Sequence, residues 1–142
     1  MNNLFLLILA AGLPLAPVAS AETATDFQSR YQAEVRQSDP NFEGSPQRGR
    51  QFFQRVGVKD WSCSTCHTEN PAAVGKHAVT AKPIDPLAPA ANGQRFTRAD
   101  KVEKWFKRNC NDVLGRSCST QEKSDVLAYL FDPDDAALRA MT

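Results

Sequence analysis

Apolar residues recur at helical spacing in several segments, and no stretch of useful length alternates between apolar and polar residues as a half-buried strand does. The first predicted helix covers residues 23–37, because the residue before Pro40 is pushed out of the helical conformation. A second helix should begin with Ser45 as N-cap and Pro46 at its first position, and it should stop at Gly57. The pattern predicts an all-α fold.

A long loop should separate these helices from two more. Residues 70–96 contain four prolines and two glycines with little periodicity, which favours a loop wrapped around another group. The third helix should begin at Thr97 with Asp100 at the capping-box position, and the last at Ser119 with Glu122 at that position. The predicted inward faces consist of Val102, Trp105, Phe106 and Asn109 in the third helix, and of Val126, Leu127 and Leu130 in the last.

The N-terminal residues have the features of an export signal. Residues 4–11 are apolar but too few to span a bilayer, and Ala19–Ala21 offers small residues to signal peptidase. We expect residues 1–21 to be removed as a signal peptide, leaving residues 22–142 as one periplasmic domain whose tail frays from Pro133. Because no Lys or Arg precedes the apolar stretch, an uncleaved membrane anchor is the alternative. The net charge of +1 does not favour nucleic acid as a partner.

Cys63, Cys66 and His67 form the motif C-x-x-C-H. Two thiols at this spacing match the two vinyl groups of a haem, and the next residue, a histidine, then lies under the iron. The motif therefore predicts one covalently attached haem c. A zinc site is a weaker alternative, because structural zinc sites usually add a second close-spaced pair, whereas Cys110 and Cys118 are eight positions apart. A thioredoxin-like dithiol would need a βαβ context, which the pattern does not suggest.

The second axial ligand of the iron is harder to identify. Small electron-transfer cytochromes usually use methionine, but this chain has only Met1, in the predicted signal peptide, and Met141, in the tail. His77 is the only other histidine, although its Gly/Pro-rich loop suggests that it is solvated. Asn109 is the other candidate, because an amide buried on an apolar helix face costs a few kcal/mol unless it has a partner. A haem iron would be such a partner.

Asn109 also has a structural explanation, since asparagine commonly caps the C-terminal end of a helix. The residues alone leave both explanations open. Cys110 and Cys118 could close a short loop in an oxidising compartment, and such a disulfide stabilises a fold by up to a few kcal/mol. It would also hold Asn109 in place.

The segment Trp105–Cys118 resembles the asparagine-ligand segment of the sphaeroides haem protein family. Shorter likenesses occur at Pro86–Pro89 and at Arg95–Thr97. The resemblance runs over about residues 49–130 and does not include residues 25–40. The first predicted helix would then be peculiar to this branch of the family.

The resemblance implies a class I cytochrome c fold, with four or five helices around one covalently bound haem. It also implies that His67 is the proximal ligand, that Asn109 is a weak distal ligand, and that Cys110 and Cys118 form a disulfide. In this family the asparagine binds the oxidised iron and leaves on reduction, which exposes the iron to oxygen or nitric oxide. The implied electron donors are a dihaem cytochrome c and a membrane cytochrome b.

The leading hypothesis is therefore a periplasmic c-type cytochrome that accepts electrons and binds a small diatomic ligand on reduction, rather than a dedicated enzyme. The alternative is a plain electron-transfer cytochrome c whose iron stays six-coordinate. The cations to consider as contacts of the haem propionates are Lys76, Lys82, Arg95 and Arg108. A backbone carbonyl usually orients such a histidine, and the nearby candidates are Pro71, Pro83 and Pro86.

Overall fold

Helices dominate the computed structural model, which describes residues 22–133. Within that range a short 3₁₀ helix lies at Val58–Asp60, and an antiparallel hairpin pairs β1 (Gly75–Lys76) with β2 (Pro83–Ile84). The α-helices are α1 (Ala24–Val35), α2 (Pro46–Gln54), α3 (Cys63–His67), α4 (Ala99–Leu114) and α5 (Thr120–Phe131). The all-α prediction is confirmed. None of the helices in residues 22–133 is long and apolar enough to cross a membrane.

Three helices begin where the sequence predicted, and each has a local N-cap. The Thr23 hydroxyl accepts a hydrogen bond from Asp26 N, and the Asp26 carboxylate accepts one from Thr23 N, so a capping box starts α1. Ser119 and Glu122 form the predicted capping box of α5. Ser45 caps α2 by accepting a hydrogen bond from a backbone N–H of the first turn. Local signals therefore determine these starts.

Some boundaries differ from the prediction. Helix α2 ends at Gln54 rather than near Gly57, because the next residue already has extended backbone angles. Two-residue strands are too short to show an alternating pattern, so the hairpin was not predicted within residues 70–96. The predicted signal peptide and the tail beyond Pro133 lie outside the described residues.

Helix α4 begins two residues later than predicted and lacks the predicted capping box. Its N-cap is Arg98, whose side chain makes no capping hydrogen bond. The Asp100 carboxylate is instead engaged by the Arg98 guanidinium, at 2.7 Å. The cap comes from Glu22, whose Oε2 accepts a hydrogen bond from Ala99 N at 3.1 Å. The N-terminal segment therefore contacts the start of α4.

Helix α5 is the centre of the core and packs against both α1 and α2. Residues 124–130 are all buried, which confirms the predicted inward face of the last helix. Gly49 lies against the backbone of α5, where a Cβ would run into the carbonyl oxygen of Asp125. The buried Asp125 carboxylate accepts hydrogen bonds from Ser45 N at 2.8 Å and from the Arg48 guanidinium at 2.7 and 2.8 Å. The close approach at Gly49 and the hydrogen bonds between Arg48 and Asp125 together fix how α2 crosses α5.

Candidate haem site

The C-x-x-C-H motif forms a short helix of its own, α3. The Ser62 hydroxyl accepts a hydrogen bond from Thr65 N at 3.1 Å, and Thr65 Oγ1 accepts one from Ser62 N at 2.9 Å. Residues at positions i, i+3 and i+4 share one side of a helix, so Cys63, Cys66 and His67 face the same direction. Neither Cys63 nor Cys66 is in a disulfide. The structure thus brings the three residues of the motif together.

Burial determines the protonation states of this group. Burial and, to a smaller extent, the positive charge of Arg95 lower the pKa of His67 to about 4, so the imidazole is neutral at pH 7 and has a lone pair for a metal. Burial raises the pKa of the Cys63 thiol to about 11.

The zinc alternative would need thiolates, because zinc binds cysteine in its deprotonated form. The remaining cysteines, Cys110 and Cys118, are bonded to each other. The distant cysteine that the zinc alternative needs beside Cys63, Cys66 and His67 is therefore not available as a thiolate.

The segment around His67 is supported from two sides. The Phe53 ring lies with its centroid 6.3 Å from that of the imidazole. Tyr129, buried in α5, donates a hydrogen bond from its hydroxyl to the carbonyl of Glu69 at 2.8 Å. Gly75 of β1 lies so close to the backbone of α3 that no side chain would fit there. The core and the hairpin therefore hold α3 in a defined position.

Two of the proline carbonyls considered as partners of the His67 ring are already occupied. Pro71 O accepts hydrogen bonds from the backbone N–H groups of residues 87 and 88, at 2.8 and 2.9 Å. Pro86 O accepts hydrogen bonds from two side chains of the same loop, at 2.9 and 3.4 Å. A carbonyl oxygen has two lone pairs, so neither proline has one left for His67. The third candidate, Pro83, is part of β2.

Among the cations considered for the haem propionates, Arg95 is the one whose charge acts on His67. Its guanidinium donates hydrogen bonds to two backbone carbonyls of the loop at 2.6 and 2.9 Å, which hold the side chain in place. Arg108 instead lies over a tryptophan ring of α4, with 5.5 Å to the ring centroid. Lys76 and Lys82 are exposed in the hairpin region. The structure therefore favours Arg95 as the cation of the site.

Asn109 lies within α4, which continues to Leu114 and is closed by Gly115 at a φ of 69°. The C-cap explanation of Asn109 is therefore wrong. At 100° per residue, Asn109 points about 20° from Val102 and about 40° from Val113 around the helix axis. Both valines are buried, yet Asn109 is exposed. The polypeptide packs against both ends of this face but not against its middle, so the expected burial of Asn109 by the protein itself is wrong.

The face of α4 that carries Asn109 also exposes a large apolar side chain. Trp105, one turn before Asn109, leaves 49% of its surface exposed. A large aromatic side chain in this position is suited to lie against a flat apolar group. Several other apolar side chains pack against the core but are only partly buried: Phe52, Leu87, Phe96 and Phe106. Together with two free thiols and a neutral imidazole, these surfaces match what covalent haem needs.

Cys110 and Cys118 form the disulfide that the resemblance implies, with their Cα atoms 5.6 Å apart. Both half-cystines are buried. The bond joins α4 to the residue that precedes the N-cap of α5. Because Cys110 directly follows Asn109, the disulfide restrains α4 beside the candidate distal ligand.

His77 has a structural role in the connection between β1 and β2. Its Nδ1 accepts hydrogen bonds from Val79 N and Thr80 N, both at 3.2 Å. Its backbone N–H donates to Lys82 O at 2.9 Å. Moving His77 onto an iron would disturb this turn, which makes it a poorer candidate ligand than Asn109.

Comparison with known proteins places these features in a wider context. Residues 40–130 match the model of a family described as a domain of unknown function, DUF1924. Cytochrome c″ of Methylophilus methylotrophus is 42% identical over 129 residues, covering 87% of this chain and 88% of that protein. Cytochrome c-type protein SHP of Cereibacter sphaeroides is 40% identical over 131 residues, covering 87% of this chain and 95% of that protein.

The fold is shared as well. The structure of oxidised SHP, described as an oxygen-binding cytochrome c, superimposes with a TM-score of 0.69 at 37% identity and covers 78% of this chain and 97% of its own. A solution structure of cytochrome c″, reported for its insights into haem-ligand detachment, gives a TM-score of 0.69 at 43% identity, with 77% and 92% covered. An alignment that began after α1 would omit residues 1–35, but alignments over 87% of 142 residues leave only about 18 outside. The expectation that the first helix is peculiar to this branch of the family is therefore not supported.

Proposed function

This chain belongs to the DUF1924 family and is similar to cytochrome c″ and the sphaeroides haem protein. It is therefore a cytochrome with covalently bound haem c, and we propose that it binds a diatomic ligand when reduced. In this proposal Cys63 and Cys66 form the thioether bonds and His67 is the permanent axial ligand. Their common side of α3, together with the neutral His67 imidazole, supports this assignment.

Asn109 is the proposed distal ligand. The observation that carries this proposal is that Asn109 lies on the inner face of α4 between two buried valines and yet is not covered by the polypeptide. An amide oxygen is a hard, neutral ligand, which suits ferric iron better than ferrous iron. Asn109 should therefore be bound in the oxidised state and released on reduction. The haem supplies the redox couple and, once Asn109 has left, the position at which a small ligand binds.

Oxygen is supported as that ligand by one relative, and nitric oxide is the other ligand that the family resemblance implies. That relative is described as oxygen-binding, and the other has been studied for detachment of a haem ligand. We propose that the protein acts in the periplasm and receives electrons from a dihaem cytochrome c and a membrane cytochrome b, as the family resemblance implies. Plain electron transfer with a permanently six-coordinate iron is the competing function.

Absorption spectra of the purified holoprotein test the proposal. We expect carbon monoxide to shift the Soret band of the reduced protein, because reduction frees one coordination position. Replacing Asn109 by Ala should convert the ferric haem to a five-coordinate or water-ligated form. The matched control is His77→Ala, which removes the other candidate and should leave the ferric spectrum unchanged.

The two functions give opposite results. A reduced haem that is low-spin and insensitive to carbon monoxide would establish plain electron transfer. A ferric spectrum that responds to His77→Ala but not to Asn109→Ala would contradict the ligand assignment. Pyridine haemochrome spectra of Cys63→Ser and Cys66→Ser would report separately on covalent attachment, because each variant should lose one thioether bond.

A further inference from the structure

We propose that the N-terminal helix α1 positions α4 through Tyr31 and Glu103, and thereby sets how tightly Asn109 binds the iron. This inference rests on the proposed function, because it assumes that Asn109 is the distal ligand. It assigns a role to two residues that lie outside the haem motif and the segment that carries Asn109. In it, Tyr31 and Glu103 are positioning residues that do not touch the haem themselves.

A single carboxylate on α4 joins three helices. Tyr31 of α1 is only 3% exposed, and its hydroxyl donates a hydrogen bond to Glu103 Oε1 at 2.6 Å. The other oxygen of Glu103 accepts a hydrogen bond from Lys123 Nζ of α5 at 2.7 Å. Although burial alone would raise the pKa of Glu103, the hydrogen bonds from Lys123 and Tyr31 keep it below its usual value. The carboxylate therefore stays charged and strengthens both contacts.

The Tyr31 side chain also touches α4 through its ring. The Phe106 ring lies edge-on to it, with centroids 6.1 Å apart and an interplanar angle of 83°. Phe106 is three residues before Asn109, so the two side chains are neighbours along the helix. At the start of α4, Glu22 caps the helix by accepting the hydrogen bond from Ala99 N. Glu22, which precedes the N-cap of α1, thus contacts the start of α4, and α1 itself contacts the first half of α4.

These contacts matter because the protein does not pack against Asn109 directly. Asn109 lies between two restraints: the contacts with Tyr31 before it and the Cys110–Cys118 disulfide immediately after it. The position of its amide relative to the iron is therefore set by how α4 is held on either side. A small displacement of α4 should weaken the bond between Asn109 and the iron, because a weak ligand bond depends strongly on the ligand being held in its bound position.

The test is the ferric spin state of the holoprotein carrying Tyr31→Phe, measured well below its unfolding temperature. This variant keeps the ring and its contact with Phe106 but removes the hydrogen bond to Glu103. We expect the ratio of high-spin to low-spin ferric haem to rise about threefold, the effect of losing one modest hydrogen bond. The midpoint potential should rise with it, because the ferric form loses stabilisation.

The matched control is Thr120→Val. Thr120 Oγ1 donates a hydrogen bond to Glu34 Oε1 at 2.7 Å, so this change severs a contact between α1 and α5 that does not involve α4. It should leave the spin-state ratio at the wild-type value. Glu103→Gln provides a second test if Tyr31→Phe does not fold, because it weakens the same junction from the α4 side and should shift the ratio in the same direction.

The outcomes separate this inference from the proposed function. If Asn109→Ala changes the ferric spectrum while Tyr31→Phe and Glu103→Gln do not, the positioning role is refuted and Asn109 ligation stands. If Thr120→Val raises the high-spin fraction as much as Tyr31→Phe, the effect is general loosening of α1 and the inference is again refuted. If Asn109→Ala leaves the ferric spectrum unchanged, the proposed function fails and this inference fails with it.

Discussion

Removing the disulfide by the double substitution Cys110→Ala/Cys118→Ala should destabilise the fold measurably. The bond links residues eight positions apart, and closing a loop of that size stabilises the folded state by roughly 2.5 kcal/mol through the entropy of the unfolded chain. Both half-cystines are buried, so removing their sulfur atoms leaves small unfilled spaces that add roughly 1 kcal/mol. We therefore expect the free energy of unfolding to fall by roughly 3.5 kcal/mol.

Thermal unfolding of the oxidised holoprotein, followed by circular dichroism at a helix-sensitive wavelength, measures this loss. For a domain of this size 1 kcal/mol corresponds to about 4 °C, so the midpoint should drop by about 14 °C. Ser117→Ala is the matched control, because it changes an exposed residue inside the same loop and leaves the disulfide intact. A double variant that melts within about 2 °C of the wild type would refute the loop-closure argument.

Three further substitutions test the packing and charge contacts of α2 and α5. Gly49→Ala should cost about 3 kcal/mol in a denaturant titration, because the new methyl group meets the backbone of α5; an unchanged midpoint would contradict that close approach. Asp125→Asn should cost about 2 kcal/mol in the same assay, because an amide cannot accept all three hydrogen bonds; a neutral effect would mean that the carboxylate does not tie α2 to α5. The hydrogen bond from Arg116 is the chief reason that the pKa of Glu122 is lowered from 4.5 to about 2. The ionised Glu122 therefore stabilises the fold above pH 4.5, and this contribution disappears as the pH falls towards 2. Glu122→Gln should therefore lower stability by up to about 1 kcal/mol at pH 7, since the partner Arg116 is half-exposed and solvent screens the pair, and by nothing near pH 2; an equal loss at both pH values would rule out the ionic explanation.

The sequence predicted the helices whose caps are local. Ser45 and Ser119 are followed by the residues that complete their caps, so a short window of sequence contains the whole signal. The start of α4 could not be found in this way, because its cap comes from Glu22, 77 positions earlier. Helix α3 has only five residues, too few to show a hydrophobic period, and it was not predicted.

In the candidate site, too, the residues with a local sequence signal were predicted, whereas the contacts between distant positions were not. Chemistry specified Cys63, Cys66 and His67, because covalent haem attachment requires that spacing, and the structure places them on one side of α3. The position of Asn109 on the inner face of α4 was predictable from helical spacing, but the spacing does not indicate what covers that face. The contact between Tyr31 and Glu103 was missed because it joins positions 72 residues apart. The only local signal was that Phe27 and Tyr31 lie four positions apart on an apolar face.

The two sides of the site are restrained very differently, and this difference explains how one ligand could leave while the cofactor stays. On the side of His67, the hairpin, the Tyr129 hydrogen bond and the short α3 helix fix the backbone within a few residues of the motif. Covalent attachment through two thioether bonds would make retention of the haem independent of the distal ligand. On the side of Asn109, the polypeptide restrains α4 only before and after the ligand position. A weak amide ligand on a helix held in this way can be released by a change of iron charge alone, without loss of the haem or unfolding of the core.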